Sequence, residues 1–432
     1  MKRLFLLSFF LFCFTQVQAR TTIIFWHSMA GPLGIILRHI VHQFNYSQTQ
    51  YTIKPIYKGN YAESLTSAIA AYRAHKQPGI IQVFEVGTAT MLSSRQAIVP
   101  FYQLMKTNHI NLRTQQFFPA IGGYYANAKG QLMALPFNSS SPVLYYNKTA
   151  FKRAGLNLKQ PPNTWPKIVI ASKKLLHAGY KCGFTTGWPS WIQMEVFSAW
   201  HNKPFATYNN GLSSLKARVI FAYPLLIKHI TMLRKWQLQH IFQYGGQEDD
   251  AAALFLSGVC PMMTQSSGSR ANLMANANFP VGIGALPYWP VKGAPQNTSI
   301  GGAALWVLAG KSKIEYRGIA KFLAFLASAK MQAYWSEKTG YLPVTKAAYY
   351  YIKQHGFFKR YPEAEIAIKE LTHKPATPYS KGIRLGNYVL IRKINDRAIE
   401  AVLSGQETAK TALLEAAHQD NILLAQFQAG IS

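Results

Sequence analysis

The sequence predicts an α/β protein of two lobes joined by more than one chain crossing. Three observations predict it. Its 432 residues, 49% hydrophobic and 14% charged, supply enough apolar material for two cores. Between residues 21 and 86, short β-branched runs alternate with helical stretches, the pattern of a sheet with helical crossovers. Two later strand-like runs, at 135–147 and 281–287, are interrupted by Pro, Ser, Asn or Gly, as expected where a chain leaves one sheet for another.

The elements follow in order. Lys2 and Arg3 precede an apolar run, Leu4 to Phe14, and Val17-Gln18-Ala19 has the small-x-small form. Residues 1–19 are therefore expected to be an export signal cleaved after Ala19. Bulky Phe12 before Cys13 argues against a lipoprotein signal. Thr21 to Trp26 reads as a buried strand, and Gly31 to Asn45 carries apolar residues at helical spacing. Tyr51 to Tyr57 returns to strand, Tyr61 to Ala74 to helix, and Gly79 to Val86 to strand, in a sheet expected to be largely parallel. Ligands of such sheets sit beyond the carboxyl ends of the strands, which singles out Trp26-His27-Ser28, Gly59-Asn60-Tyr61 and Glu85-Val86-Gly87. Between the two interrupted runs, helices are expected at Lys167–Gly179 and Asp249–Val259 and a strand at Pro261–Thr264. Beyond them come a strand at Ala303–Ala309, one long helix at Ile314–Lys338 and two helices within Arg392–Gln428, broken near Ser404-Gly405. After residue 20 no uncharged apolar stretch reaches the ~18 residues of a membrane span.

Charge and motifs narrow the function. With 46 Lys and Arg against 16 Asp and Glu, the net charge is +30. The basic residues are scattered, without a helix-turn-helix or finger spacing, so nucleic acid is not an expected partner. The magnitude reads as a compositional habit, while the sign favours an anionic ligand. Export leaves Cys182 and Cys260, either as two buried thiols or as a disulfide worth about 4 kcal/mol in the chain-entropy model. HExxH, GxSxG and P-loop motifs are absent, and Pro287 spoils the Gly282-x-Gly284 start of a dinucleotide fingerprint. Glu85 and Glu195 are conceivable as a glycosidase pair, and equally as structural hydrogen-bond acceptors. The 12 histidines lack metal-ligand spacing, so neither metal nor cofactor is expected. The remaining signals suit capture of a small molecule. Trp188 and Trp191 offer faces for stacking, or else belong to the core. Ser266-Ser267-Gly268-Ser269 after a strand makes an anion site or a plain helix cap. Arg384, between Gly382 and Gly386, is a fork for a carboxylate or phosphate, or a surface arginine.

Nine strings sharpen these alternatives: FWHSMAGPLG (25–34), YKGNYAESL (57–65), FEVGTATM (84–91), LPFNSSSPVLYYNK (135–148), GWPSWIQMEVFSAW (187–200), TQSSGSRAN (264–272), APQNTSIGGAALWV (294–307), EKTGYLPVTKAAY (337–349) and KGIRLGN (381–387). From about residue 21 to the C-terminus the chain resembles the maltose-type extracellular solute-binding family of ABC importers, in its glycerol-3-phosphate-binding branch. The resemblance implies a two-lobed periplasmic-binding-protein fold of type II, with hinge crossings and no catalysis. Lobe one would take residues 20–138 and 287–343, and lobe two 139–286 and 344–432. It also implies a periplasmic monomer that delivers sn-glycerol-3-phosphate to inner-membrane permease subunits and their cytoplasmic ATPase, with glycerophosphodiesters such as glycerophosphocholine left open. By the same resemblance Tyr61 and Glu85 contact the glycerol hydroxyls, and Ser140, Ser266, Gly302, Tyr341 and Arg384 the phosphate, while Trp188 and Trp191 line the glycerol. Another anionic or sugar-like solute on the same fold, or an exported glycosidase or phosphodiesterase, are the alternatives. The much more basic periphery and the loosely matching 214–240 bear on permease docking, not on the pocket.

Overall fold

In the computed structural model, which describes residues 20–431, the chain builds two β-sheets flanked by helices. Strands β1 (Thr21–His27), β2 (Tyr51–Tyr57) and β3 (Ile80–Phe84) lie parallel in the order β2-β1-β3, with helices Gly31–Tyr46 and Tyr61–Arg73 as crossovers. All five residues of β3 are buried, as a strand covered on both faces requires.

The largely parallel sheet has one reversed strand. β10 (Gly301–Leu308) pairs antiparallel with β3, and along its other edge with β4 (Ile98–Val99) and β5 (Leu135–Ser140). A strand that re-enters from elsewhere in the fold has no short helical crossover to orient it, so it is free to run the other way. The second sheet has the order β7-β8-β6-β9, formed by β6 (Pro142–Asn147), β7 (Phe184–Thr186), β8 (Met262–Ser266) and β9 (Val281–Gly284).

The interrupted run at 135–147 is where the chain changes sheets. β5 belongs to the first sheet and β6 to the second, with only Ser141 between them. Buried Gln296, Asn297, Thr298 and Ser299 precede β10 on the return. The passages are tied to one another. Ser141 Oγ donates to Thr298 Oγ1 at 2.6 Å, and the Gln296 and Asn297 amides donate to the carbonyls of Pro375 and Lys374, each at 2.8 Å.

Other differences are local. The expected helix Ile314–Lys338 is two helices, Lys313–Ala327 and Ala329–Thr339, because Ser328 is extended and its hydroxyl accepts the Met331 N–H as a new N-cap. The helix expected at Asp249–Val259 is only Ala252–Leu256. The tail forms helices Tyr388–Ser404 and Ala409–Ile431, parted by left-handed Gly405. Cys182 and Cys260 form a disulfide with their Cα atoms 4.7 Å apart. No helix among the described residues is long and apolar enough to cross a membrane. The expected export signal lies outside the described residues.

Candidate ligand-binding site

A cavity of about 310 Å³ opens where strand ends of both sheets converge. From the first sheet come Ser28 after β1, Tyr61 after β2, Glu85 after β3, Ser140 closing β5, and Gly301 and Gly302. Because β10 is antiparallel, its first residues reach the edge where the parallel strands end. From the second come Trp188 and Trp191 after β7 and Ser266 at the end of β8. Tyr341 completes a set of eight sequence-expected residues in one lining.

Local chemistry fixes each position. Asn60 and Glu63 form a reciprocal capping box that starts the helix at Tyr61, whose ring stacks on Phe84 with centroids 5.3 Å apart. The Tyr61 hydroxyl accepts from Asn138 Nδ2 at 2.8 Å, and buried Gln82 braces Asn138 through a further 2.8 Å bond. Burial raises the Tyr61 pKa, so its phenol stays a neutral donor. Ser266 Oγ accepts the Gly268 N–H at 3.1 Å, so the cap reading of that serine run holds, and Ser266 lines the cavity as well. Gly302 has φ +87°, and a Cβ there would sit 1.9 Å from the Asn138 carbonyl oxygen. At Gly301 a Cβ would meet the Trp191 ring at 2.3 Å, so glycine is what lets that indole close against the strand.

Trp188 and Trp191 differ. Trp191 is buried and opens a π-helical turn, Trp191–Val196, that also carries Glu195. Trp188 is half-buried with φ +44°, its N–H donating to the Glu248 carbonyl at 2.7 Å and its Nε1–H to Asp249 Oδ1 at 2.9 Å.

Arg384 must be corrected. It does not line the cavity: its Nη1 and Nη2 donate to the carbonyls of Ala126 and Gly123 at 3.1 and 3.5 Å, and its guanidinium lies 5.7 Å from the Tyr124 ring. The glycine-flanked loop carries it to a strap that binds backbone, where burial lowers its pKa.

The cavity's arginine is Arg392, on the tail helix and not singled out by the sequence. Glu195 grips it by a two-point fork, at 2.9 Å to Nε and 2.6 Å to Nη2, and Glu85 Oε1 meets Nη2 at 2.7 Å. Burial opposes the arginine's charge, but Glu195 and Glu85 outweigh it and hold its pKa above the ordinary value. Burial raises the Glu85 pKa, against the pull of Arg392. One turn further on, Asp396 accepts the Ser190 N–H at 3.0 Å. Burial pushes its pKa up to about 6. A signal for Arg392 did exist: Arg392, Asn395 and Asp396 sit on the buried face of an amphipathic helix with Ile391 and Ile399, where ionisable groups are rare without partners. Asp249, which the sequence pattern places at the start of a helix, lines the cavity ahead of a helix that begins only at Ala252. Among the described residues no group of His, Cys, Asp and Glu is arranged to hold a metal ion.

Two sheets whose strand ends meet at a polar and aromatic cavity define a protein built to enclose a small solute. The chain belongs to the bacterial extracellular solute-binding proteins, whose family model it matches over residues 39–366. Over 415 residues it is 48% identical to the sn-glycerol-3-phosphate-binding periplasmic protein UgpB of Salmonella typhimurium, covering 96% of this chain and 94% of that one. With the protein of that name from Yersinia enterocolitica the identity is 47% at the same coverage. Among solved structures it is similar to UgpB from Mycobacterium tuberculosis in complex with glycerophosphocholine, with a TM-score of 0.79, 21% identity, and coverage of 94% of this chain and 98% of that one. It is also similar to maltose-bound MalE3 of T. maritima, with a TM-score of 0.75 and 18% identity, covering 93% of this chain and 100% of that one. Those likenesses establish the two-lobed maltose-type fold.

Proposed function

We propose that this chain captures sn-glycerol-3-phosphate in the periplasm and hands it, unaltered, to the permease subunits of an ABC importer. One observation carries the reading. Four hydroxyls (Tyr61, Ser140, Ser266 and Tyr341), the Glu85 carboxylate, the Arg392 guanidinium and two indoles face a single cavity of about 310 Å³. Glycerol hydroxyls need an acceptor such as Glu85, and a phosphate needs hydroxyls, free amides and a guanidinium. Arg392 has Nε and Nη2 committed to carboxylates, while its Nη1 makes no hydrogen bond among the described residues and remains for an anion.

The protein acts as a monomer whose lobes, residues 20–138 with 287–343 and 139–286 with 344–432, close over the ligand and desolvate these contacts. The chain changes sheet at Ser141, slightly past that first boundary, since Ser139 and Ser140 still pair with β10. Export rests on the leader-like residues 1–19 and on the periplasmic relatives. Binding without turnover is supported by the pinning of Glu85 and Glu195 on Arg392, which leaves neither carboxylate poised as a proton donor. Calorimetry with sn-glycerol-3-phosphate is the test. Saturable heat with no product on prolonged incubation is expected, and no heat at millimolar ligand would overturn the proposal.

A further inference from the structure

We infer that the helix pair at residues 346–361 is a second interaction surface, one that rests on a bilayer of anionic phospholipid. The inference does not depend on which solute the cleft holds. Residues 346–361 contain four Lys or Arg, six aromatic residues and no acid, so positive charge and large rings coincide in one short stretch. A general excess of basic residues, such as the net charge of +30 records, would place them without regard to rings.

The fold turns that stretch outward. Along the helix Lys346–Gln354, Ala348 and Ile352 are buried, which leaves Lys346, Tyr350 and Lys353 on the solvent face at i, i+4 and i+7. Tyr350 is 57% exposed. Left-handed Gly356, at φ +74°, then starts the short helix Phe357–Arg360, which packs beside the first through Tyr349 and Phe358, their rings 5.5 Å apart. Lys359, Arg360 and Tyr361 are exposed on it. The Arg270 guanidinium steadies this end from below, 5.8 Å from the Phe357 ring and 5.9 Å from that of Tyr361.

The charge of the face is unspent. Among the described residues, Lys346, Lys353, Lys359 and Arg360 take part in no ion pair. The flanking acids do not cancel them: Glu365 is bound to Lys369 at 2.6 Å, and Glu337 and Glu363 are only partly exposed. Unpaired cations are drawn to an anionic head-group layer, and long basic side chains can lay their stems along it. Tyrosine, apolar in its ring and polar at its tip, suits the depth of the head groups. Residence there would shorten the search of a solute-loaded chain for a membrane-embedded importer.

The experiment is co-sedimentation of the mature chain with vesicles of phosphatidylcholine alone and of phosphatidylcholine mixed equally with phosphatidylglycerol. Binding is expected only to the mixed vesicles and should fall as salt is raised. Lys359→Gln with Arg360→Gln should lower the partition coefficient roughly 30-fold, each cation contributing about fivefold near such a surface. Lys173→Gln with Lys174→Gln removes the same charge from the exposed side of another helix, Trp165–His177, and should change it about twofold at most. Tyr350→Ser should weaken binding by a factor that salt does not alter, because burial of a ring is not screened. Urea midpoints matching the wild type show that these exposed substitutions leave the fold intact. Equal binding to both kinds of vesicle, binding to neither, or equal losses from the two pairs of substitutions would overturn the inference.

Discussion

Arg384 and Arg392 lie close in sequence and have opposite fates. Arg384 has the look of a ligand fork, set between glycines in a polar loop, yet its guanidinium is occupied by the carbonyls of Gly123 and Ala126. Arg392 lies within an amphipathic helix, marked only by its place on the apolar face, yet it lines the cavity and carries two ion pairs. An arginine facing carbonyls has neutral partners and serves as a strap. An arginine facing two carboxylates is oriented by charge, and its free nitrogen is held in one place. What surrounds the guanidinium, rather than the flexibility of the backbone beside it, decides which arginine can recognise an anion.

Alanine substitution breaks the pair apart most sharply. Arg392→Ala should cost roughly 2–5 kcal/mol in affinity for glycerol phosphate, about 30- to 5,000-fold, because the anion and two buried carboxylates lose their cation together. Arg384→Ala should leave affinity unchanged and lower the unfolding free energy by about 1–3 kcal/mol, since two carbonyls lose their donor. Titration calorimetry alongside urea unfolding separates the two outcomes. An exchange of phenotypes would return the anion to Arg384.

A titration sharpens the comparison at intermediate size. Asp396, one turn from Arg392, has its pKa raised by burial from the ordinary 3.8 to about 6. A carboxyl with a raised folded-state pKa contributes stability that is fully present below the unfolded value and lost as pH rises through the folded one. Between pH 4 and 6 the wild type should therefore lose ground against Asp396→Asn, which has no proton to release. The gap in Tm between the two proteins, measured across that window, should grow with pH. Around Arg384 the titrating neighbour is the Tyr124 phenol, pushed upward by burial, so Arg384→Ala should show a gap that is flat from pH 4 to 6.

Much of this was legible in the sequence, for physical reasons that differ by element. β3 announces itself because a strand buried on both faces must be apolar, and β1 and β2 because buried residues alternate with more exposed ones along them. The run at 135–147 was readable because its Ser and Pro interrupt a strand where one sheet ends and another begins. The antiparallel entry of β10 was not, since a strand's own residues carry no direction. Tyr61 and Glu85 could be placed because strand ends supply sites in α/β sheets. Asp249 and Arg392 escaped because each gains its meaning from a partner remote in sequence, Trp188 for one and Glu85 with Glu195 for the other.

The smallest expected effect tests the strap itself. Lysine at 384 keeps the charge but offers a single ammonium where the guanidinium reaches two carbonyls, of Ala126 through Nη1 and of Gly123 through Nη2. It also gives up the planar group that lies 5.7 Å from the Tyr124 ring. One hydrogen bond from the cation to a carbonyl, the longer of the two, and part of a cation–π contact should be lost, about 0.5–1.5 kcal/mol in stability. The Tyr124 hydroxyl, which donates to the carbonyls of Glu85 and Ile383 at 3.0 and 2.6 Å, should keep the nearby wall in place. Glycerol phosphate affinity should then match the wild type. If Arg384→Lys instead weakened the ligand while the urea midpoint stayed put, the guanidinium would have to leave its carbonyls and turn into the cleft on binding, and the division between strap and anchor would fail.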